Sequence, residues 1–79
     1  MGLVAASLLS MWVVYDHPLD MPEHYVARMH EVLANGESVA TSNVIVGGTL
    51  DAVRSALPPG LACIPRYPAD DPNIVEVWL

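Results

Sequence analysis

Two proline-bearing breaks decide how this chain can be divided: "DHPLDMP" at residues 16–22 and "PPG" at residues 58–60. Proline lacks a backbone donor and fixes φ, so neither break lies inside a regular element. Ahead of the first break, "MWVVY" at 11–15 is β-branched and aromatic and predicts a buried strand. Ahead of the second, "TLDAVRSAL" at 49–57 predicts a helix. Thr49 is its N-cap, Asp51 complements the dipole, and Leu50, Val53 and Leu57 form an apolar stripe.

The stretch between the breaks is less decided. As a helix, "PEHYVARMHEVLANG" at 22–36 has Asp20 as N-cap, Glu23 three residues later and Asn35-Gly36 as a stop, with Val26, Met29 and Leu33 on one face. As a strand, Tyr25, Ala27 and Met29 alternate with Val26, Arg28 and His30, and Asn35-Gly36 becomes a type I′ hairpin turn into "ESVATSNVIV". The second apolar segment beyond the Asn-Gly turn tips the balance to strand. "NVIVGG" at 43–48 predicts the next strand and "LACIPR" at 61–66 a short one, with Pro65 implying an edge. "NIVEVWL" at 73–79 predicts the last, with Ile74, Glu76 and Trp78 on one side and Val75, Val77 and Leu79 on the other. The expected fold is α+β: a small antiparallel sheet of four or five strands with one helix packed on one face.

Seventy-nine residues make one domain, and a chain this short buries only about 60% of its unfolded surface. The expected organisation is an apolar N-terminal extension at 1–10, docked as a short helix or disordered, followed by a single α+β domain at 11–79. Met11 is an alternative start. The uncharged run through Tyr15 is shorter than the ~20 residues a bilayer requires. It also lacks the positive charge that opens a signal peptide. No membrane association and a cytoplasmic location are therefore expected.

Nine acidic residues face three arginines and no lysine, for a net charge of −6. Phosphate contacts need Lys and Arg, so direct nucleic-acid binding is not expected. An acidic surface favours a basic partner instead. The single Cys63 excludes an internal disulfide and any cysteine-based zinc site, and its place between Ala62 and Ile64 predicts a small core residue. His24 and His30 do not chelate together: they diverge by about 240 degrees on a helix and lie about 20 Å apart on a strand. "VGGT" lacks the lysine of a phosphate-binding loop. No metal, cofactor or catalytic residue is expected. Trp12 and Trp78 read as core aromatics.

The acidic residues remain. Asp16, Asp20 and Glu23 flank one stiff loop, and Asp70 and Asp71 sit in a second, between prolines. If the first and last strands are antiparallel neighbours, these five carboxylates share one end of the sheet and form a negative, partner-binding rim.

"MWVVYDHPLDMPEHYVAR" and "LPPGLACIPRYPADDPNIVEVWL" together resemble small acidic proteins carried by bacteriophages and mobile elements, over residues 11–79. In size, charge and lack of catalytic motifs the chain is similar to the anti-CRISPR class. That resemblance implies a non-enzymatic inhibitor in a bacterial cytoplasm that occupies the basic DNA-binding surface of a Cas complex, as a monomer or homodimer. The alternative expectation is a structural or regulatory phage protein that homodimerises through a sheet edge.

Overall fold

The computed structural model describes residues 7–65 and 72–79. Five strands and one helix follow in the order β1 (Ser7–Asp16), β2 (Tyr25–Leu33), β3 (Ser38–Gly47), α1 (Leu50–Ala56), β4 (Cys63–Pro65) and β5 (Ile74–Trp78). The strands form one antiparallel sheet in the order β3-β2-β1-β5-β4. The fold is α+β, and the segment with two readings, 22–36, holds a strand.

β1 begins at Ser7, not at Met11. The expected extension therefore divides. Residues 7–10 are strand, because Ser7, Leu9 and Ser10 find partners in Leu33, Val32 and Glu31 of β2. Residues 1–6 lie outside the described residues. β3 starts at Ser38, within the segment "ESVATSNVIV" that the hairpin reading places after the turn, and so extends the strand expected at 43–48.

The β2–β3 turn also corrects its expectation. A type I′ turn needs φ > 0 at both central residues, yet Gly36 (φ 87) has positive φ and Asn35 does not. Gly36 N–H donates to Leu33 O at 2.9 Å and Leu33 N–H to Glu37 O at 2.8 Å. This is the three-residue loop of a type I turn followed by a left-handed glycine. The Asn35 side chain accepts from Glu37 N–H at 3.0 Å, which suits an asparagine held at negative φ.

Cross-strand partners share a side of the sheet. One side carries Trp12, Val14, Ala27, Met29 and Trp78. There Val53 of α1 joins Trp12, Val14 and Ala27 in a buried cluster, with Leu50, Leu57, Val75 and Trp78 packed against it. The strict alternation expected for β5 breaks between Ile74 and Glu76. Val14 pairs with Glu76 but Tyr15 with Ile74, so two β5 steps oppose one β1 step. That irregularity makes Val75, not Ile74, a neighbour of the cluster.

α1 is bounded as its caps dictate. The Thr49 hydroxyl accepts from Ala52 N–H at 3.1 Å, and Leu57, the residue before Pro58, takes ψ 150, extended as a pre-proline residue should be. Cys63 departs from its expected place in the core. It lies exposed on β4, the outermost strand, where the sheet has no further neighbour to cover it.

The core is thin: among the described residues, the largest fully buried side chains are Val14, Val26 and Val53. Val53→Ala should cost about 2 kcal/mol, the transfer of two methyl groups plus a cavity. Gly47→Ala should also destabilise, by about 1–3 kcal/mol. Its new Cβ would lie 3.0 Å from Val53 Cγ2 and 3.2 Å from Val53 N. Urea unfolding measures both, and an unchanged midpoint in either variant would contradict this packing.

Candidate functional site

The polar stretch after β1 forms a closed loop. Asp16 pairs with Tyr25 at its base, and His17 N–H donates to His24 O at 3.0 Å one step further out. Within it, Met21 N–H donates to Pro18 O at 2.9 Å and His24 N–H to Met21 O at 3.2 Å, so two turns fill the loop. Pro18 is buried while Leu19 at the tip is 95% exposed. His17 occupies the left-handed region (φ 51), uncommon for a residue with a Cβ. Its ring Nδ1 meets Oδ1 of Asp16, and its ring stands edge-on to Tyr25 at 5.1 Å between centroids.

The loop folds back over the side of the sheet opposite Val53. Arg28 of β2 donates through Nη2 to Asp20 Oδ2. Asp20, Met21, Pro22, Glu23 and His24 together with Val46 of β3 line a cavity of about 350 Å³. Among the described residues, no serine, threonine or cysteine lines it.

Of the five expected rim residues, the structure brings Asp16, Asp20 and Glu23 onto this loop, while Asp70 and Asp71 lie outside the described residues. The condition set for a shared rim holds, since β1 and β5 are antiparallel neighbours. Asp16 N–H donates to Asn73 O at 2.7 Å, which places Asp16 at the end of the sheet where the chain enters β5. The three carboxylates are not equivalent. Asp20 is offset by Arg28 and Asp16 is engaged by His17, whereas Glu23 is exposed and has no ion pair among the described residues. Among those residues, no group of three or more His, Cys, Asp or Glu side chains is placed to hold a metal ion.

A second polar centre was not foreseen. Glu76 of β5 is only 4% exposed. Arg54 of α1 grips it through two bonds, Nε to Oε2 at 2.9 Å and Nη2 to Oε1 at 2.6 Å, and Trp78 Nε1–H donates to Oε2 at 2.6 Å. The Arg54 and Trp78 bonds hold the carboxyl below its usual range despite burial, and the Cys63 thiol adds a smaller contribution. Desolvation and the same carboxylate push the Cys63 thiol up, which disfavours a reactive thiolate. The signal in the sequence was a lone carboxylate inside "IVEVWL", on the face shared with Trp78. A buried charge in such a strand requires a partner.

His30, paired with Met11 and Ala40, carries a buried Nε2 with no hydrogen-bond partner among the described residues. Burial, then the nearby Arg28, lowers its pKa from 6.5.

Comparison with protein families, with curated proteins and with solved structures returned no match. No helix among the described residues is long and apolar enough to cross a membrane.

These shifts predict two acid steps in stability. The His30 pKa is lowered on folding, so the neutral form is favoured in the folded state. Its contribution is present above the unfolded value of 6.5 and is lost as pH falls through the lower folded value. The Glu76 contribution is present above the unfolded value of 4.5 and is lost as pH falls through its depressed folded value. Chemical unfolding as a function of pH should show both steps. His30→Gln should abolish the upper step and leave the lower, and Arg54→Ala should move the lower step to higher pH. A single step unaffected by either variant would contradict the assignment.

Proposed function

We propose that this chain is a non-enzymatic acidic binding protein that occupies a basic, nucleic-acid-binding surface of another protein complex. The observation that carries this reading is the loop at 17–24, closed at its base by backbone pairing and tethered to the sheet by Asp20–Arg28. With Asp16 at its base and Glu23 upon it, it sets both carboxylates at one end of the sheet in a chain whose net charge is −6. A loop fixed before encounter loses little conformational freedom on binding, and its charge accelerates approach to a basic partner. In this reading α1 covers one side of the sheet, supported by the burial of Val53, and leaves the loop end free. The chain then acts in the cytoplasm of a bacterial host as an inhibitor of the anti-CRISPR kind, competing with DNA for a Cas complex. That finer identification rests on the resemblance over residues 11–79.

The test is capture of a host protein from a bacterial lysate on the immobilised chain, followed by titration of the chain into that protein's complex with DNA. Displacement of DNA, weakening steeply as salt rises, is the expected result. Simultaneous binding of DNA and the chain would refute the competition.

Asp16→Lys combined with Glu23→Lys should slow association about tenfold and change stability by under about 0.5 kcal/mol, since both side chains face water. Glu37→Lys, in the β2–β3 turn at the opposite end of the sheet, should do much less. Stopped-flow association with the captured protein measures the difference. Equal rates for the double variant and the unaltered chain would count against the acidic loop as the recognition surface.

A further inference from the structure

The cavity between the loop at 17–24 and β3 measures about 350 Å³, within the range of pockets that hold small ligands. Its walls divide by chemistry. Met21, Pro22 and Val46 supply apolar surface, while Asp20, Glu23 and His24 supply polar groups. Val46 is 46% exposed although it pairs with the fully buried Val26, so the sheet leaves apolar surface open beneath the loop.

The charge around the cavity does not cancel. Arg28 matches Asp20. Glu23 is exposed and has no ion pair among the described residues. Two acids and one arginine leave one negative charge in excess. The other arginine among the described residues, Arg54, is held by Glu76 on the opposite side of the sheet.

We propose that this cavity seats one arginine side chain of the basic partner, with its aliphatic stem against Met21, Pro22 and Val46 and its guanidinium at the Glu23 carboxylate. The inference rests on the proposed binding of a basic surface and names the group in that surface that the loop receives. Long basic side chains lay their stems along apolar surface and keep the charged head at water. Apolar walls beside an exposed carboxylate suit that division. An uncharged apolar group would leave Glu23 unmatched. A guanidinium is more weakly hydrated than an ammonium and offers a planar fork of donors to a carboxylate, so arginine loses less on entry than lysine does. Asp20, next to Glu23 on the cavity wall, already accepts an arginine of this chain. The loop needs little reordering to receive the side chain, because backbone bonds from His17 to His24 and from His24 to Met21 hold it closed beforehand.

Titration of the full chain with Nα-acetyl-arginine amide, followed by NMR of the backbone amides, is the test. Saturable shifts are expected at Asp20, Met21, Glu23, His24 and Val46. Nα-acetyl-citrulline amide keeps the length and loses the charge, and it should bind more weakly by roughly two- to fivefold, the scale of one exposed ion pair. Guanidinium ion, which has no stem, should also bind more weakly than the arginine derivative. Glu23→Gln should weaken the arginine derivative by the same factor as the loss of its charge does, and should leave the citrulline derivative unchanged. Glu37→Gln, in the β2–β3 turn, should change neither. Both glutamates are exposed, so both variants should keep the fold. The absence of saturable shifts at the cavity overturns the proposal. So do equal affinities for the arginine and citrulline derivatives, or an unchanged affinity in Glu23→Gln. Tighter binding of Nα-acetyl-lysine amide would overturn the choice of arginine. None of these measurements uses the partner. Displacement of DNA by a chain that ignores the arginine derivative would refute the cavity inference alone, and binding of the derivative without displacement of DNA would refute the competition alone.

Discussion

Backbone pairing of β1 along both of its edges sets the position of everything else in this protein. β2 lies along one edge from Ser7 to Asp16 and β5 along the other from Trp12 to Tyr15. The first and last strands of the chain are therefore neighbours, and the chain must cross from β3 at one edge to β4 at the other. α1 begins that crossing beside β3 and β2 and brings Val53 to Trp12, Val14 and Ala27. The non-local nature of this pairing matters energetically. β1 and β5 stand at opposite ends of the described chain, so their pairing closes a long loop, and that closure entropy is lost before the contacts between them offset it.

Glu76 shows how a thin core can carry a buried charge. A carboxylate this deep is costly without partners. Here one arginine supplies a two-pronged grip and an indole N–H a third bond. Arg54 remains partly exposed, so one of the two charges keeps some of its hydration. The pair links α1 to β5, elements that share no sequence proximity. It ties the last turn of the helix to β5, while Val53 and Gly47 fix its approach to β3. His30 is the opposite case, a buried ring nitrogen without a hydrogen-bond partner among the described residues, whose burial and nearby Arg28 favour the neutral form.

The loop at 17–24 spends its charge unevenly. Asp20 is consumed in holding the loop to Arg28, and the left-handed His17 is steadied by Asp16 and Tyr25. The acidity available to a partner is thus smaller than a count of carboxylates suggests, and Glu23 is its most open member. Pro18 turns inward while Leu19 points out, so the tip pairs an apolar side chain with acidic neighbours. Interfaces commonly combine such an apolar contact with a charged surround.

The sequence by itself determined the breaks and the element types on either side of them. The prolines, Thr49 and the β-branched runs act within a few residues, through φ restriction, side-chain capping and pleated packing. They put the helix at 49–57 against the observed Leu50–Ala56, and β4 at an edge. The paired signals for 22–36 were local and contradictory, and the choice of strand belonged to the hydrogen bonds of β1 and β3 on either side. Only the tertiary structure decided that residues 7–10 extend β1, that Asn35-Gly36 closes a three-residue loop, and that Cys63 lies exposed at the sheet edge. It alone brought Arg54 to Glu76 and Arg28 to Asp20. Those outcomes depend on which strands become neighbours, on bulges that shift side chains between faces, and on ion pairs between distant segments. No local propensity encodes a partner that lies across the sheet.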